Sequence, residues 1–262
     1  MSVVEKHTPG SFCWVELGTT NSAAAKAFYN GLFGWQSHDE PVGPGRVYTM
    51  LHIGGKDLGA MYEMDQSMRA MRIPPHWLQY VAVASADQSA AQIKNLGGAL
   101  LKGPFDVPGA GRMAVVQDPT GAVFALWQAN PHIGAHIMGE LNTLCWSELA
   151  TNDKSKALGF YTSLFGWSTK TNPEDPEQYT EISNGPRTMG GVMEMNKEWG
   201  NVPSHWVPYF MVANCDASVA TAKKSGGSIN VPPTDIPKVG RFAAIADPQG
   251  AAFAIINLTA NP

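Results

Sequence analysis

Phe28-Tyr29-Asn30-Gly31-Leu32-Phe33-Gly34-Trp35 returns as Phe160-Tyr161-Thr162-Ser163-Leu164-Phe165-Gly166-Trp167, an offset of 132 (160 − 28), and this echo decides how the chain is divided. Upstream, Phe12-Cys13-Trp14-Val15-Glu16-Leu17 matches Leu144-Cys145-Trp146-Ser147-Glu148-Leu149 at the same spacing. Downstream, His76-Trp77 pairs with His205-Trp206, Gly111-Arg112 with Gly240-Arg241, and Asp118-Pro119-Thr120-Gly121 with Asp247-Pro248-Gln249-Gly250, now at 129 (205 − 76). Ala129-Asn130-Pro131 and Ala260-Asn261-Pro262 close the two copies. Solenoid repeats run about 20–50 residues, so a period this long means two domains. The expected boundaries are 9–131 and 139–262, with a linker at 132–138.

Each copy reads as two halves with one grammar. In the first half a strand at 12–17 leads into a helix at 22–33, with Asn21 as N-cap and Gly34 as terminator. Three strands follow near 36–38, 47–53 and 57–63, separated by turns such as Pro41-Val42-Gly43-Pro44-Gly45. The second half repeats the order, with a strand at 78–83, a helix at 87–96 and strands near 100–105, 112–117 and 123–128. The pattern is βαβββ twice, an α+β fold. Asp-Pro-Thr-Gly suits the last hairpin, because Asp bonds backbone amides, Pro presets φ and Gly accepts a left-handed conformation.

Composition narrows the function. With 44% hydrophobic and 15% charged residues the chain is a globular protein, and no apolar run is long enough to cross a bilayer. The N-terminus lacks a basic start followed by an apolar stretch, so the expected location is cytoplasmic. A net charge of −4 and scattered Lys and Arg argue against nucleic acid. Three cysteines, Cys13, Cys145 and Cys215, read as reduced and buried. No dinucleotide fingerprint or P-loop occurs, which argues against NAD and ATP.

The helix ending Phe-Tyr-x-x-Leu-Phe-Gly-Trp, at 28–35 and 160–167, and the Gly-Arg…Asp-Pro-x-Gly…Phe run, at 111–124 and 240–253, resemble the glyoxalase/bleomycin-resistance/extradiol-dioxygenase family, the vicinal oxygen chelate superfamily. The resemblance covers nearly the whole chain and is nearest the two-domain glyoxalase-like subgroup. It implies two tandem domains, each pairing βαβββ modules so that about eight strands curl around a cup with helices outside, and a small ligand in the cup.

Metal-using relatives place a His or Gln on the first strand about fourteen residues before the Phe-Tyr pair. In this chain that position falls on Trp14 and Trp146. The ligand position on the second module's first strand falls near Tyr80 and Tyr209, and the Glu of the last strand falls at Ala125 and Ala254. Indole offers an N–H and no lone pair for a metal. No metal is therefore expected at the family's site, and no cofactor. Glyoxalase I and extradiol dioxygenase chemistry, which the resemblance would otherwise imply, are disfavoured because both use a cation.

Strand alternation places Phe12, Trp14 and Glu16 on the cup side and Cys13, Val15 and Leu17 on the helix side, with Leu144, Trp146 and Glu148 opposite Cys145 and Leu149 in the second copy. Glu16 and Glu148, flanked by large apolar groups, are candidate general acids or bases; the alternative is a structural ion pair. Arg112 and Arg241 are candidates for a substrate carboxylate or phosphate, or for pairing with those glutamates. Trp14, Tyr80, Trp127, Trp146 and Tyr209, with Met50, Met61, Met64, Met189, Met193 and Met195 nearby, are expected to line soft aromatic pockets or to fill the core. His76 and His205, the histidines at matched repeat positions, read as packing residues whose rings meet a neighbouring carbonyl; the alternative is a shared role at the mouth of each cup or as a proton carrier. His132 and His136 have i, i+4 spacing, but Gly134 between them argues against a helical metal pair. Arg46, Tyr62 and Trp127 correspond roughly to Gln178, Met193 and Ile256, so the two cups are expected to differ.

The expected protein binds an aromatic or small polar compound, as monomer or homodimer, and any chemistry is metal-independent isomerase or lyase chemistry through a carboxyl group. Two alternatives stand beside it: sequestration without turnover, and a metal-dependent lyase or dioxygenase with displaced ligands such as Glu16, His76 and Glu63.

Overall fold

The computed structural model describes residues 3–259, so the closing Ala260-Asn261-Pro262 of the second copy lies outside the described residues. The first copy contains β1 (Phe12–Thr19), α1 (Ser22–Phe33), β2 (Gln36–Pro41), β3 (Val47–Ile53), β4 (Lys56–Glu63), a short α2 (Gln66–Ala70), β5 (His76–Ala82), α3 (Ala86–Asn95), β6 (Ala99–Val107), β7 (Gly111–Gln117) and β8 (Val123–Ala129). The second contains β9 (Leu144–Thr151), α4 (Lys154–Phe165), β10 (Ser168–Thr171), β11 (Thr180–Asn184), β12 (Arg187–Glu194), a single 3-10 turn at Lys197–Trp199, β13 (His205–Met211), α5 (Cys215–Lys224), β14 (Ser228–Ile236), β15 (Gly240–Ala246) and β16 (Ala252–Leu258). Each copy forms one eight-stranded sheet, ordered β2-β3-β4-β1-β5-β8-β7-β6 and β10-β11-β12-β9-β13-β16-β15-β14. The two modules of a copy join where β1 runs antiparallel to β5.

Local chemistry explains the helix limits. The Asn21 side chain accepts the Ala24 N–H at 3.0 Å, and Gly34 takes φ 71° to end α1, a conformation that suits glycine. Asp153 and Gly166 do the same for α4. The short α2 and the 3-10 turn carry no apolar periodicity, so sequence patterning passes over them; their caps, Asp65 and Asn196, are the only local signal.

Simple alternation is corrected in the first strand of each copy. Register shifts between Phe12 and Trp14 on β1 and between Leu144 and Trp146 on β9 insert a bulge, which turns the preceding residue to the other face. Phe12 therefore packs on Trp167 and Trp206, with ring centroids 5.7 and 5.0 Å away, and Leu144 joins the helix-side core with Phe210. Cys13 and Cys145 move to the tryptophan side, their thiols donating to the Tyr80 and Tyr209 carbonyls.

The helix-side faces are shared between copies. One core joins Leu17, Phe28 and Phe33 to Phe210, Ile245 and Phe253; the other joins Val81, Ile93 and Phe124 to Phe160, Tyr161 and Trp167. Each copy thus completes the other's core. Reciprocal polar contacts lock the arrangement. Tyr29 donates its O–H to Asp247 at 3.0 Å and accepts the Trp77 indole N–H at 3.0 Å, while Tyr161 donates to Asp118 at 3.0 Å and accepts from Trp206 at 2.8 Å. The same aspartates hold their own turns by accepting amides of Thr120 and Ala122, and of Gln249 and Ala251. The Phe-Tyr and Asp-Pro-x-Gly signatures are therefore two halves of one buried lock. The opposite face of each sheet is left as a cup.

Candidate functional site

Strand register assembles the cups. On neighbouring strands Trp14 lies opposite Tyr80, and Tyr80 opposite Ala125; in the second copy Trp146, Tyr209 and Ala254 line up identically. Two residues further along each first strand stands a glutamate. In the second cup Glu148 accepts one phenol on each oxygen, Tyr209 on Oε1 and Tyr179 on Oε2, both at 2.9 Å. The Trp146 indole N–H donates to the Tyr179 oxygen at 3.0 Å, which fixes that phenol's direction. In the first cup Trp14 donates to Tyr48 at 3.3 Å and Tyr48 to Glu16 at 2.6 Å, while the Tyr80 hydroxyl approaches the same carboxyl.

Burial pushes both carboxyls above their usual pKa, and the phenol donors oppose the rise without cancelling it. Lys102 also opposes it at Glu16, whereas Glu177 adds to it at Glu148. Desolvation first and the glutamate charge second push the Tyr48, Tyr80, Tyr179 and Tyr209 phenols upward, so these groups stay protonated donors. Each cup holds a carboxyl with a raised pKa, oriented by phenols and flanked by an indole.

The two cups differ in access. Trp14 is 4% and Glu16 9% exposed, but Trp146 and Glu148 are only half-buried. The linker accounts for much of this. Its Ala135 N–H donates to the Cys13 carbonyl at 2.7 Å, and at Gly134 (φ 104°) a Cβ would collide with that carbonyl. So held, His132 lies edge-on to Trp14 at 4.9 Å and Trp127 at 5.9 Å, and its carbonyl accepts the Trp127 indole N–H at 2.9 Å. In the second cup Trp127 is replaced by Ile256, and Phe242 stacks on Tyr209 at 6.2 Å.

Other sequence candidates fall elsewhere. Arg112 and Arg241 are corrected: they face the α3 and α5 side, bound to Asp87 and Asp106 and to Asp216 and Asp235 at 2.7–2.8 Å, and not to the cup glutamates. Each alternates with a cup-lining neighbour, Met113 or Phe242, so strand parity turns it away. His76 and His205 place Nδ1 2.8 Å from the Pro74 and Pro203 carbonyls. The displaced set of Glu16, His76 and Glu63 is not brought together, since Glu63 is exposed and bound to Ser22 and Arg69. His136 pairs with Asp57 at 3.7 Å. Tyr48 and Tyr179 are the residues that sequence reasoning missed, although Tyr48-Thr49 does recur as Tyr179-Thr180.

The family model for the Glyoxalase/Bleomycin resistance protein/Dioxygenase superfamily matches residues 11–126 and again 135–255. The chain belongs to this superfamily. It is similar to "Putative glyoxylase CFP32" of Mycobacterium tuberculosis, 40% identical over 253 residues that cover 96% of each chain. It is also similar to "Anthracycline biosynthesis protein DauV" of Streptomyces sp., 34% identical over 269 residues, covering 97% of this chain and 95% of the relative. Among solved structures, a Mn(II)-bound glyoxalase from Novosphingobium aromaticivorans superposes with a TM-score of 0.65 at 14% identity, covering 95% of this chain and 82% of that one. A homoprotocatechuate 2,3-dioxygenase variant from B. fuscum gives 0.65 at 17%, covering 99% and 76%. At these identities the two structures share the fold alone. The cation that superfamily chemistry uses does not suit the residues found here. Trp14, Tyr80 and Ala125 offer an N–H donor, a protonated phenol and a methyl group. Among the described residues no three His, Cys, Asp or Glu side chains converge to hold an ion.

Proposed function

We propose that the protein binds a planar aromatic small molecule in the second-domain cup and exchanges a proton with it through Glu148, without a metal. The observation that carries this reading is the half-buried Glu148, fixed by two phenol O–H groups beside the Trp146 indole at the centre of the superfamily cup. A raised pKa lets the carboxyl stay protonated nearer neutral pH, so it donates from Oε to a ligand oxygen, or as carboxylate accepts a proton from an acidic hydroxyl or C–H. Isomerase or lyase chemistry needs no more than this. Trp146, Tyr209 and Phe242 supply the apolar, aromatic wall, and Tyr179 positions the carboxyl. The relative named for anthracycline biosynthesis supports a fused-ring ligand. Glu16, Trp14, Tyr80 and Trp127 form the closed counterpart, which in this reading is chiefly structural.

Titration with an anthracycline, followed by tryptophan fluorescence, tests the assignment. Saturable binding that weakens by about tenfold or more in Glu148→Gln and survives in Glu16→Gln is expected, since a hydrogen bond involving a charged group contributes roughly 1.5–3 kcal/mol. Equal binding in both variants would remove the carboxyl from the site. Incubation with turnover assayed by mass and absorbance separates catalysis from capture.

A further inference from the structure

Away from both cups, the N-terminal segment of the first domain crosses the β11–β12 hairpin of the second and leaves a groove of about 250 Å³ lined by Lys6, His7, Thr8, Ser11, Asn184 and Arg187, among others. Its walls are fixed. His7 Nε2 lies 2.8 Å from the Ala135 carbonyl, and the Asn184 amide donates to the Pro9 carbonyl at 2.9 Å and the Ser11 hydroxyl at 3.0 Å. Its charge is uncompensated. Every other feature of the groove is neutral, since burial lowers the His7 pKa, and among the described residues neither Lys6 nor Arg187 has an ion pair or side-chain hydrogen bond.

The duplication provides an internal control. Lys56 opens β4 as Arg187 opens β12, each straight after a two-residue hairpin turn. Lys56 is followed by Asp57, whose carbonyl accepts an amide of the linker, whereas Arg187 is followed by Thr188. In the first copy the linker packs beside the hairpin and Lys56 is half-buried, whereas Arg187 is exposed at the groove. We infer that this groove is a second binding site, for a small molecule carrying a carboxylate or phosphate group, with Arg187 as the bidentate anchor and Lys6 as its second cation. A planar guanidinium matches either oxyanion, and two like cations facing one groove in a chain of net charge −4 concentrate anions there. Ser11 and Arg187 also line a narrow crevice running inward to Cys145, Trp146 and Ser147.

Amide NMR of the full chain, titrated with inorganic phosphate and separately with acetate at constant ionic strength, tests the site. Saturating shifts confined to Thr8, Ser11, Gly185 and Arg187 are expected with at least one anion, and the anion that saturates identifies the group recognised. Arg187→Gln, an exposed change, is expected to weaken that binding about tenfold or more, while Lys56→Gln leaves it unchanged. Shifts that never saturate with either anion, that spread over unrelated lysines, or that persist in Arg187→Gln would overturn the proposal.

Discussion

The indole and carboxyl of the first cup are buried more deeply than those of the second, although both descend from one sequence. In the first, Trp14 and Glu16 are almost wholly buried, and His132 from the linker closes over Trp14 and Trp127. In the second, the same indole and carboxyl are half-buried, Ile256 replaces Trp127, and Glu148 accepts its two phenols evenly at 2.9 Å where Glu16 holds Tyr48 more tightly, at 2.6 Å. The shared core of the pair is a carboxyl–phenol–indole chain; the differences lie in what covers it. In the proposed reading, duplication lets one copy keep the chain as packing while the other keeps it as a site.

Truncating the tryptophans is the severest way to break this comparison. Trp14→Ala removes a buried, packed indole and is expected to lower unfolding free energy by about 3–5 kcal/mol, measured by chemical denaturation. Trp146→Ala is expected to cost less than half of that and instead to weaken aromatic ligand binding by tenfold or more; equal destabilisation would contradict the assignment of roles. The interdomain locks sharpen the contrast from the other side, because they are alike in both halves. Tyr29→Phe and Tyr161→Phe each strand a buried aspartate oxygen and an indole N–H, and each is expected to cost about 1–3 kcal/mol with ligand affinity retained. A loss confined to one of them would show the halves to be less equivalent than their hydrogen bonds.

The smallest expected effect is on pH dependence. Glu16 has a folded pKa above its unfolded value, so the folded state binds the proton more tightly. Below the unfolded pKa both states are protonated and its contribution to stability is full; as pH rises through the folded pKa that contribution is lost. Wild-type stability should therefore decline across that window, and Glu16→Gln should flatten the decline. A steeper decline in the variant would reverse the sign.

Most of the fold was legible because glycine, asparagine and aspartate caps, the Phe-Tyr and Asp-Pro signatures and the duplication point to one architecture. Positions Trp14, Tyr80 and Ala125 fell into register as the family comparison implies. What local pattern did not reveal was set by tertiary geometry. The bulge that turns Phe12 away and Cys13 inward depends on a partner strand. The arginines were legible as cations, but strand parity relative to Met113 and Phe242 decided that they face aspartates. Tyr48, on β3, and Tyr179, just before β11, are distant in sequence from the glutamates they serve, and only their recurrence as Tyr-Thr marked them. The role of His132 arises from the linker's path across β1, which residue type alone does not specify.

Elemental analysis of protein purified without chelator, run alongside Glu16→Gln and Glu148→Gln, tests most directly whether the cups operate by stacking and proton exchange. The account predicts no stoichiometric transition ion in any of the three and ligand binding undiminished by a chelator. Close to one Fe, Ni, Zn or Mn per domain, lost on substituting the glutamate, would contradict it.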